Sequence, residues 1–353
     1  MGIFIKGVGN VSPQKTIDKH IFESEDLLPI SSNRLKCIEP DYTQFVDSKQ
    51  LRRMSRVIRM GVAASFTALK EAKIEKPDAV IVGTALGCLE DTASFLSKLV
   101  QNNEEMLSPT AFIYSTHNTI AAQIAYLLNC KGYNSTYVHK NISFESALID
   151  AILLLNEKSV ANVLVGGIDE ITNDSFTILE RLGHYKKSEE LANNQLFDLK
   201  TKGSIAGEGS AFFTLVDTVS DDCCAEILEV ETLSFGNKDE VIAKAKQLLN
   251  KNNITNPDLL IAGYNGDNHD DKITDEVVTT LGLAENTLNF KHLSGEFGTA
   301  SGFATWLAAV ILKNKTIPQS LVSPSKAPSK IENILIYSHF QNVHHSLILL
   351  KAC

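Results

Sequence analysis

Residues 132–167 read GYNSTYVHKNISFESALIDAILLLNEKSVANVLVGG, and this stretch decides the fold. A strand that ends at Tyr137 and Val138 enters a tight turn at Asn141, and a long helix rich in apolar residues follows. Such a turn presents one side chain at the point where backbone N–H groups and the positive end of a helix dipole converge. A nucleophile or an oxyanion is stabilised there. In this sequence the side chain at that point is Asn141.

Composition limits the classes of protein to consider. The chain has 353 residues, of which 44% are hydrophobic and 21% charged, which predicts a soluble globular protein with two domains or one duplicated unit. A net charge of −9 argues against nucleic acid and against an anionic membrane surface as general partners. No apolar run approaches the roughly 20 residues of a membrane span, and the first residues lack the pattern of a signal peptide. We therefore expect a cytoplasmic protein.

The six cysteines show no metal-binding or disulfide pattern. None belongs to a CxxC pair, and no paired histidines accompany them. The sequence therefore predicts reduced thiols and no bound metal.

Apolar runs and helical spacing alternate along the rest of the chain. Strands are predicted at 3–8, 161–168, 211–216, 225–230, 258–264, 288–291, 334–337 and 346–351, and helices at 238–249 and 299–312. Apolar residues also recur at helical spacing from Leu51 onward, and the arginines between them (Arg52, Arg53, Arg56 and Arg59) indicate a solvated helix face. Two rounds of alternating strands and helices suggest two halves rich in βαβ units.

Four further motifs accompany the turn. Residues 52–56 read RRMSR, 108–125 read SPTAFIYSTHNTIAAQIA, 197–209 read FDLKTKGSIAGEG and 291–302 read KHLSGEFGTASG. In this order they resemble the motifs of the β-ketoacyl-ACP synthases, although Thr201 stands where that family has an arginine. The GEG at 207–209 could also be a plain hairpin turn before the strand at 211–216, but glycines and acids at these offsets favour the resemblance.

The resemblance covers nearly the whole chain, from Gly9 to Leu350. It implies an α/β fold, the thiolase-like five-layered α-β-α-β-α sandwich of two pseudo-duplicated halves. The halves are expected at residues 1–220 and 221–353, with the active site between them.

The resemblance also implies that the catalytic positions are replaced. Aligning Ala147-Leu148 with the family's Ala-Leu puts Asn141 at the nucleophilic cysteine, and the two catalytic histidines fall on Asn265 and Glu296. An amide is not a useful nucleophile, and an anionic Glu296 would repel the enolate that condensation requires. We therefore expect no condensation by this chain.

Four residues are the expected substrate contacts. Lys291 keeps the family's lysine, and Phe340 keeps the phenylalanine of the family's GFGG loop, whose glycine pair falls on residues 341–342. Phe112 lies in the passage that shapes the family's dimer interface and acyl tunnel, and Ser143 follows the turn closely. The resemblance implies no cofactor and no metal.

Two functions remain open. The first is a chain-length-factor-like subunit, a non-condensing homologue that forms a heterodimer with a cysteine-bearing ketosynthase, or a homodimer when alone, and works with an acyl carrier protein. Its pathway would produce a fatty acid, a polyketide or an aryl-polyene-like product. The second is an active acyltransferase or thioesterase-like enzyme on acyl-ACP that uses Ser143, Glu145, His139 or His269. Replacement of all three catalytic positions favours the first.

Overall fold

A computed structural model describes residues 2–17, 28–187, 191–199, 201–318, 321 and 330–353. Its strands and helices, in chain order, are β1 (Ile3–Val11), β2 (Arg34–Leu35), α1 (Ser48–Leu51), α2 (Arg56–Ala72), β3 (Ala79–Gly83), α3 (Leu89–Gln101), α4 (Pro109–Tyr114), α5 (Thr119–Leu127), β4 (Tyr133–Tyr137), α6 (Ser143–Asn156), β5 (Asn162–Asp169), α7 (Asn173–Arg181), β6 (Ala206–Gly207), β7 (Gly209–Val216), β8 (Ala225–Ser234), α8 (Lys238–Lys251), β9 (Leu259–Ala262), α9 (Asp271–Thr280), β10 (Thr287–Asn289), α10 (Lys291–Ser294), α11 (Ala300–Asn314), β11 (Asn333–Phe340) and β12 (His344–Lys351). No helix in these ranges has the length and apolar character needed to cross a bilayer.

Ten strands form a sheet in the order β10-β9-β11-β12-β8-β1-β7-β5-β3-β4. A short antiparallel ladder between β1 and β8 joins two sets of five strands. In the first set, the pairs β1–β7 and β7–β5 are antiparallel, and the pairs β5–β3 and β3–β4 are parallel. In the second set, the pairs β8–β12 and β12–β11 are antiparallel, and the pairs β11–β9 and β9–β10 are parallel. The two sets therefore have the same topology, while the boundary at residue 220 stays a prediction.

Helices cover these strands in three layers. Alternate residues of a strand face opposite sides of the sheet. In β3, Val80 and Val82 pack with α2 and α5, whereas Ile81 joins a central cluster that contains the apolar residues of α6 and α11. The second set of strands packs its inner face on the same central cluster and its outer face on α8 and α9. The predicted five-layered α-β-α-β-α sandwich is therefore confirmed.

Two local predictions differ from the structure. The helix expected to run on from Leu51 is interrupted, because α1 ends there and extended backbone at Ser55 (φ −65°, ψ 165°) precedes α2. The strand predicted at 288–291 ends at Asn289, because Lys291 begins α10.

Arg56, at the start of α2, is partly exposed but pairs with a buried carboxylate. Its Nη1 and Nη2 donate to the two carboxylate oxygens of Glu208 at 2.7 and 2.5 Å. Glu208 is fully buried and also accepts the backbone N–H groups of Cys37 and Ile171. The GEG segment therefore joins α2 to two loops and is not a plain hairpin turn. The prediction of a solvated arginine face is wrong for Arg56.

Candidate functional site

Asn141 lies in a single 3-10 turn, Lys140–Ile142, between β4 and α6. The chain reverses there because Lys140 adopts the left-handed conformation, with φ of +49°. The hydroxyl group of Ser143 closes the turn: it donates to the Lys140 carbonyl at 2.6 Å and accepts the His139 N–H at 2.7 Å. Asn141 therefore stands immediately before the N-terminus of α6. Ser143 is fully buried and its hydroxyl is engaged by the turn.

Asn141, Glu296 and Phe340 line one cavity between the two sets of strands. They come from the turn before α6, the loop before α11 and the end of β11. The cavity has a volume of about 10 Å³, which is the space of about one water molecule. The other lining residues are Phe297, Gly298, Ala300, Ser301, Ser338, His339, His344 and Ser346.

Glu296 is the centre of a buried ionic network. Lys291 Nζ donates to Glu296 Oε2 at 2.6 Å, and Asn265 Nδ2 donates to the same oxygen at 3.3 Å. Lys291 is 1% exposed and also donates to the carbonyl of His339 at 3.3 Å. Burial raises the pKa of Glu296, and the Lys291 ammonium opposes this change. We regard the two as an ion pair because the contact is short.

Hydrogen bonds to its own loop and to the start of α9 hold Asn265 in place. Its Oδ1 accepts the Asp267 N–H at 2.9 Å, and its backbone N–H donates to Asp271 Oδ1 at 2.8 Å. The Gly266 N–H donates to the second oxygen of Asp271 at 2.9 Å. Both ends of the Asn265 side-chain amide are thus engaged within the chain. Asn265 and Glu296, which the sequence analysis predicts at the two catalytic-histidine positions, carry no imidazole.

The turn between β11 and β12 carries Gln341 and Asn342, which the resemblance predicts at the family's glycine pair. Gln341 and Asn342 both have left-handed backbones, with φ of +50° and +55°. Gln341 Nε2 contacts the imidazole of His184, and the Asn342 N–H donates to His339 Nδ1 at 3.4 Å. These contacts hold the turn that carries Phe340, which lines the cavity.

The remaining predicted residues do not line the cavity beside Asn141. Phe112 is 56% exposed on α4, with its ring 5.6 Å from that of Phe95, and does not line the cavity. His139 and His269 are exposed, and Glu145 is fully buried. The structure therefore forms no nucleophile and base pair from Ser143, His139 and His269 among the residues it describes. It also contains no cluster of His, Cys, Asp and Glu side chains in those ranges that could hold a metal ion.

Lys186 is a site residue that the sequence analysis missed. It is 5% exposed, and its Nζ donates to Thr201 Oγ1 at 2.8 Å, to the Thr201 carbonyl at 3.2 Å and to the Gly266 carbonyl at 2.8 Å. It therefore braces the loop that carries Asn265. The sequence contained one indication of this role: Thr201 stands where the family has an arginine, and the positive charge near this position comes from Lys186 instead.

A comparison with protein families matches residues 28–218 to the model "Beta-ketoacyl synthase, N-terminal domain". A curated relative, 3-oxoacyl-[acyl-carrier-protein] synthase 2 of Synechocystis sp., is 26% identical over 190 residues. That match covers 51% of this chain and 45% of the relative, so it spans less than half of that protein's length.

Solved structures share the fold over the whole chain. The ishigamide ketosynthase/chain length factor has a TM-score of 0.81 at 17% identity, covering 100% of this chain and 99% of that one. A ketosynthase in complex with its chain length factor from Xenorhabdus doucetiae has a TM-score of 0.76 at 16% identity, covering 100% and 98%. A type II polyketide synthase carrier protein in complex with its ketosynthase has a TM-score of 0.74 at 16% identity, covering 100% and 99%.

Proposed function

The chain belongs to the β-ketoacyl synthase family, and on this basis we propose that it is a non-condensing, chain-length-factor-like subunit. In this proposal it forms a heterodimer with a cysteine-bearing ketosynthase that uses an acyl carrier protein. The observation that carries the proposal is the buried network of Asn265, Glu296 and Lys291, next to the cavity that Asn141 lines together with Glu296. In this proposal Asn141, Asn265 and Glu296 stand at the family's three catalytic positions.

Condensation needs a thiolate to carry the acyl group and donors to stabilise the enolate formed on decarboxylation. Asn141 supplies no thiolate. Asn265 donates to Glu296, and Glu296 accepts from Lys291, so these groups satisfy one another. Loss of one oxyanion donor costs about 10² to 10³ in rate. A site without a nucleophile at residue 141 and without imidazole donors at residues 265 and 296 is therefore expected to be silent.

The size of the cavity supports the same conclusion. A volume of about 10 Å³ beside Asn141 holds about one water molecule. A thioester and the first carbons of an acyl chain need many times this space. We infer that growing chains bind in the partner subunit.

One edge of the sheet supports assembly with a second subunit. β4 is the last strand in the sheet order, so one of its edges pairs with no strand of the described chain. Phe112, Ile113, Tyr126 and Val138 are each about half exposed or more. An unpaired strand edge beside apolar surface favours association. Other apolar residues of this region, Ile120, Ala121 and Ile124, are buried in the chain's own α2 and α5 layer and do not contribute.

The similar structures indicate the kind of partner. Two of them are described as ketosynthases with chain length factors, and one as a carrier protein with its ketosynthase. We infer that a cysteine-bearing ketosynthase occupies the β4 edge here, and that the lone chain covers it by forming a homodimer.

Acylation tests the silent site. We expect no mass increase when the purified chain is incubated with acyl-ACP, because Asn141 cannot attack a thioester. A cysteine-bearing ketosynthase treated in the same way provides the positive control. A stable acyl adduct on any residue from 139 to 146 would overturn the proposed function.

Assembly is tested separately with variants of the exposed edge. Val138→Glu and Phe112→Glu are expected to weaken homodimers in light scattering and to reduce capture of the co-expressed ketosynthase. Ile178→Glu is the matched control, since Ile178 is equally exposed on α7, outside the region around β4. Equal loss in all three variants, or a well-behaved monomer of the unmodified chain, would contradict the proposed interface.

A further inference from the structure

Residues 89–114, which contain α3 and α4, form an apolar element that the described chain leaves uncovered. We call this element the α3–α4 arm. None of the 13 residues of α3, none of the six residues of α4 and none of the residues between them is buried. Isolated helices of this length are marginally stable in water, and most helices in proteins depend on the packing of an apolar face. The arm therefore lacks the cover that normally holds a helix folded.

The helix α3 has apolar side chains on two of its sides. Phe95 faces α4, with its ring 5.6 Å from that of Phe112. Leu96 and Val100 lie one turn apart and share a different side of the helix, because successive residues are about 100° apart. They are 51% and 73% exposed, and Met106, in the loop after α3, is 96% exposed. We call Leu96, Val100 and Met106 the arm stripe.

The loop between α3 and α4 is strained as well as exposed. Asn103, Glu104 and Met106 have left-handed backbones, with φ of +49°, +67° and +53°. Residues other than glycine and asparagine disfavour this conformation, which persists where the surrounding structure holds it. The side chains of Glu104 and Met106 are exposed and are not packed against the described chain. A contact from another molecule would supply the support that they lack.

The arm begins at the end of the sheet where β4 also ends. β3 and β4 are parallel, and the Thr84 N–H, just after β3, donates to the carbonyl of Tyr137, the last residue of β4, at 3.0 Å. The arm also carries Phe112, which belongs to the exposed apolar surface assigned above to the subunit interface. β4 has only five residues, whereas a stable interface buries about 800 Å² on each partner. The arm stripe supplies further apolar surface for the same interface.

We propose that the α3–α4 arm folds against the second subunit of the dimer, which covers the arm stripe of Leu96, Val100 and Met106. In the lone protein this second subunit is another copy of the chain. Folding of the arm is then coupled to assembly, as in other segments that have no core of their own. The inference rests on the proposed function, because it requires a dimer. It concerns a segment outside β4, so it can fail while the interface at β4 stands.

Hydrogen exchange measured by mass spectrometry tests this coupling. The unmodified chain is compared at a concentration where light scattering shows a dimer and after dilution to monomers. We expect the amides of α3 to exchange about tenfold faster or more in the monomer, because the helix loses its cover. The amides of α2, which has a buried face, should exchange equally in both states.

The possible results separate the two proposals. Equal exchange of α3 in dimer and monomer would overturn the coupled folding of the arm and leave the β4 interface in place. A chain that stays monomeric at every concentration would overturn both. Protection of α3 that appears only when acyl carrier protein is added would assign the arm stripe to that protein and also overturn the proposal.

Leu96→Gln combined with Val100→Gln tests the arm stripe itself. Glutamine is a good helix former, so the variant keeps the helix propensity of α3. We expect the dissociation constant of the homodimer to rise about tenfold or more, because two apolar side chains lose their contact with the partner. Lys98→Gln is the matched control, since Lys98 is exposed on the opposite side of α3. A double variant that dimerises as tightly as Lys98→Gln would refute the role of the stripe.

Discussion

Lys291 and Glu296 form a buried ion pair whose loss can be worked out from the structure. Lys291→Met removes the ammonium 2.6 Å from a carboxylate that is 6% exposed. The carboxyl group can then take up a proton, which limits the cost. The ordinary pKa of a glutamate, 4.5, lies about 2.5 pH units below pH 7. At 1.36 kcal/mol per unit, protonating the carboxyl group at pH 7 costs about 3.4 kcal/mol.

The lost bond to the His339 carbonyl adds about 1 kcal/mol. We therefore expect Lys291→Met to lower the free energy of unfolding by about 4–5 kcal/mol at pH 7. At pH 5 the proton costs only about 0.7 kcal/mol, so the loss should shrink to about 1–2 kcal/mol. The sign follows from linkage: a carboxyl group whose folded pKa is raised contributes its full stability below the unfolded pKa and loses it as pH rises.

Urea unfolding at pH 5 and pH 7 measures this difference. Lys291→Met with Glu296→Leu is the informative control, because replacing both members of a buried pair by apolar residues is often neutral. The double variant should lie within about 1–2 kcal/mol of the unmodified chain at both pH values. A loss in Lys291→Met that does not depend on pH, or a double variant as unstable as the sum of the single ones, would refute the reasoning.

Three further predictions concern the nucleophile, a buried acid and the brace. Asn141→Cys is expected to accept an acyl group slowly at most and to form no C–C bond, because the donors remain absent; ketoacyl product by mass spectrometry would contradict this. Burial raises the pKa of Asp169 from 3.8 to about 6, so its contribution to stability is complete below pH 4 and lost as pH rises through 6. Asp169→Asn can keep the hydrogen bonds from Thr84, Ala85 and Leu86. In this variant the change in the free energy of unfolding between pH 4 and pH 7 should be smaller by about 1–3 kcal/mol. An unchanged pH dependence of the free energy of unfolding, measured with urea, would count against this prediction. Lys186→Met should lower the free energy of unfolding by about 2–4 kcal/mol, and adding Thr201→Arg should restore part of this loss. Lys187 is exposed, so Lys187→Met should lower it by less than about 0.5 kcal/mol in the same assay.

The layers of the fold could be predicted because the information is local. Apolar runs such as 161–168 and 211–216 correspond to β5 and β7, and the change of spacing around Asn141 corresponds to the step from β4 into α6. β3, β5 and β7 are buried on both faces, so each appears in the sequence as a continuous apolar run. The relative order of the motifs then gave the arrangement of the two halves.

The contacts that hold the site could not be predicted in this way. Arg56 and Glu208 are 152 residues apart, and Lys186 and Gly266 are 80 apart. Nothing in the spacing of either segment specifies its partner, because the pairing depends on how the layers dock. The left-handed backbone of Gln341 could not be predicted either, because glutamine has no preference for that conformation. Asn342 was a weak signal, because asparagine tolerates that conformation.

The positions predicted to differ from the family's active site have a physical property in common. Active sites keep donors and charges unsatisfied so that the transition state can use them, and this lowers stability. Here Asn265 bonds to Glu296, Glu296 to Lys291, and Gln341 to His184, so the side chains at these predicted positions have hydrogen-bond partners within the chain. This pairing favours a structural role for these side chains. Such a role agrees with the proposed function, in which the chain holds the fold and the surface around β4 for a catalytic partner.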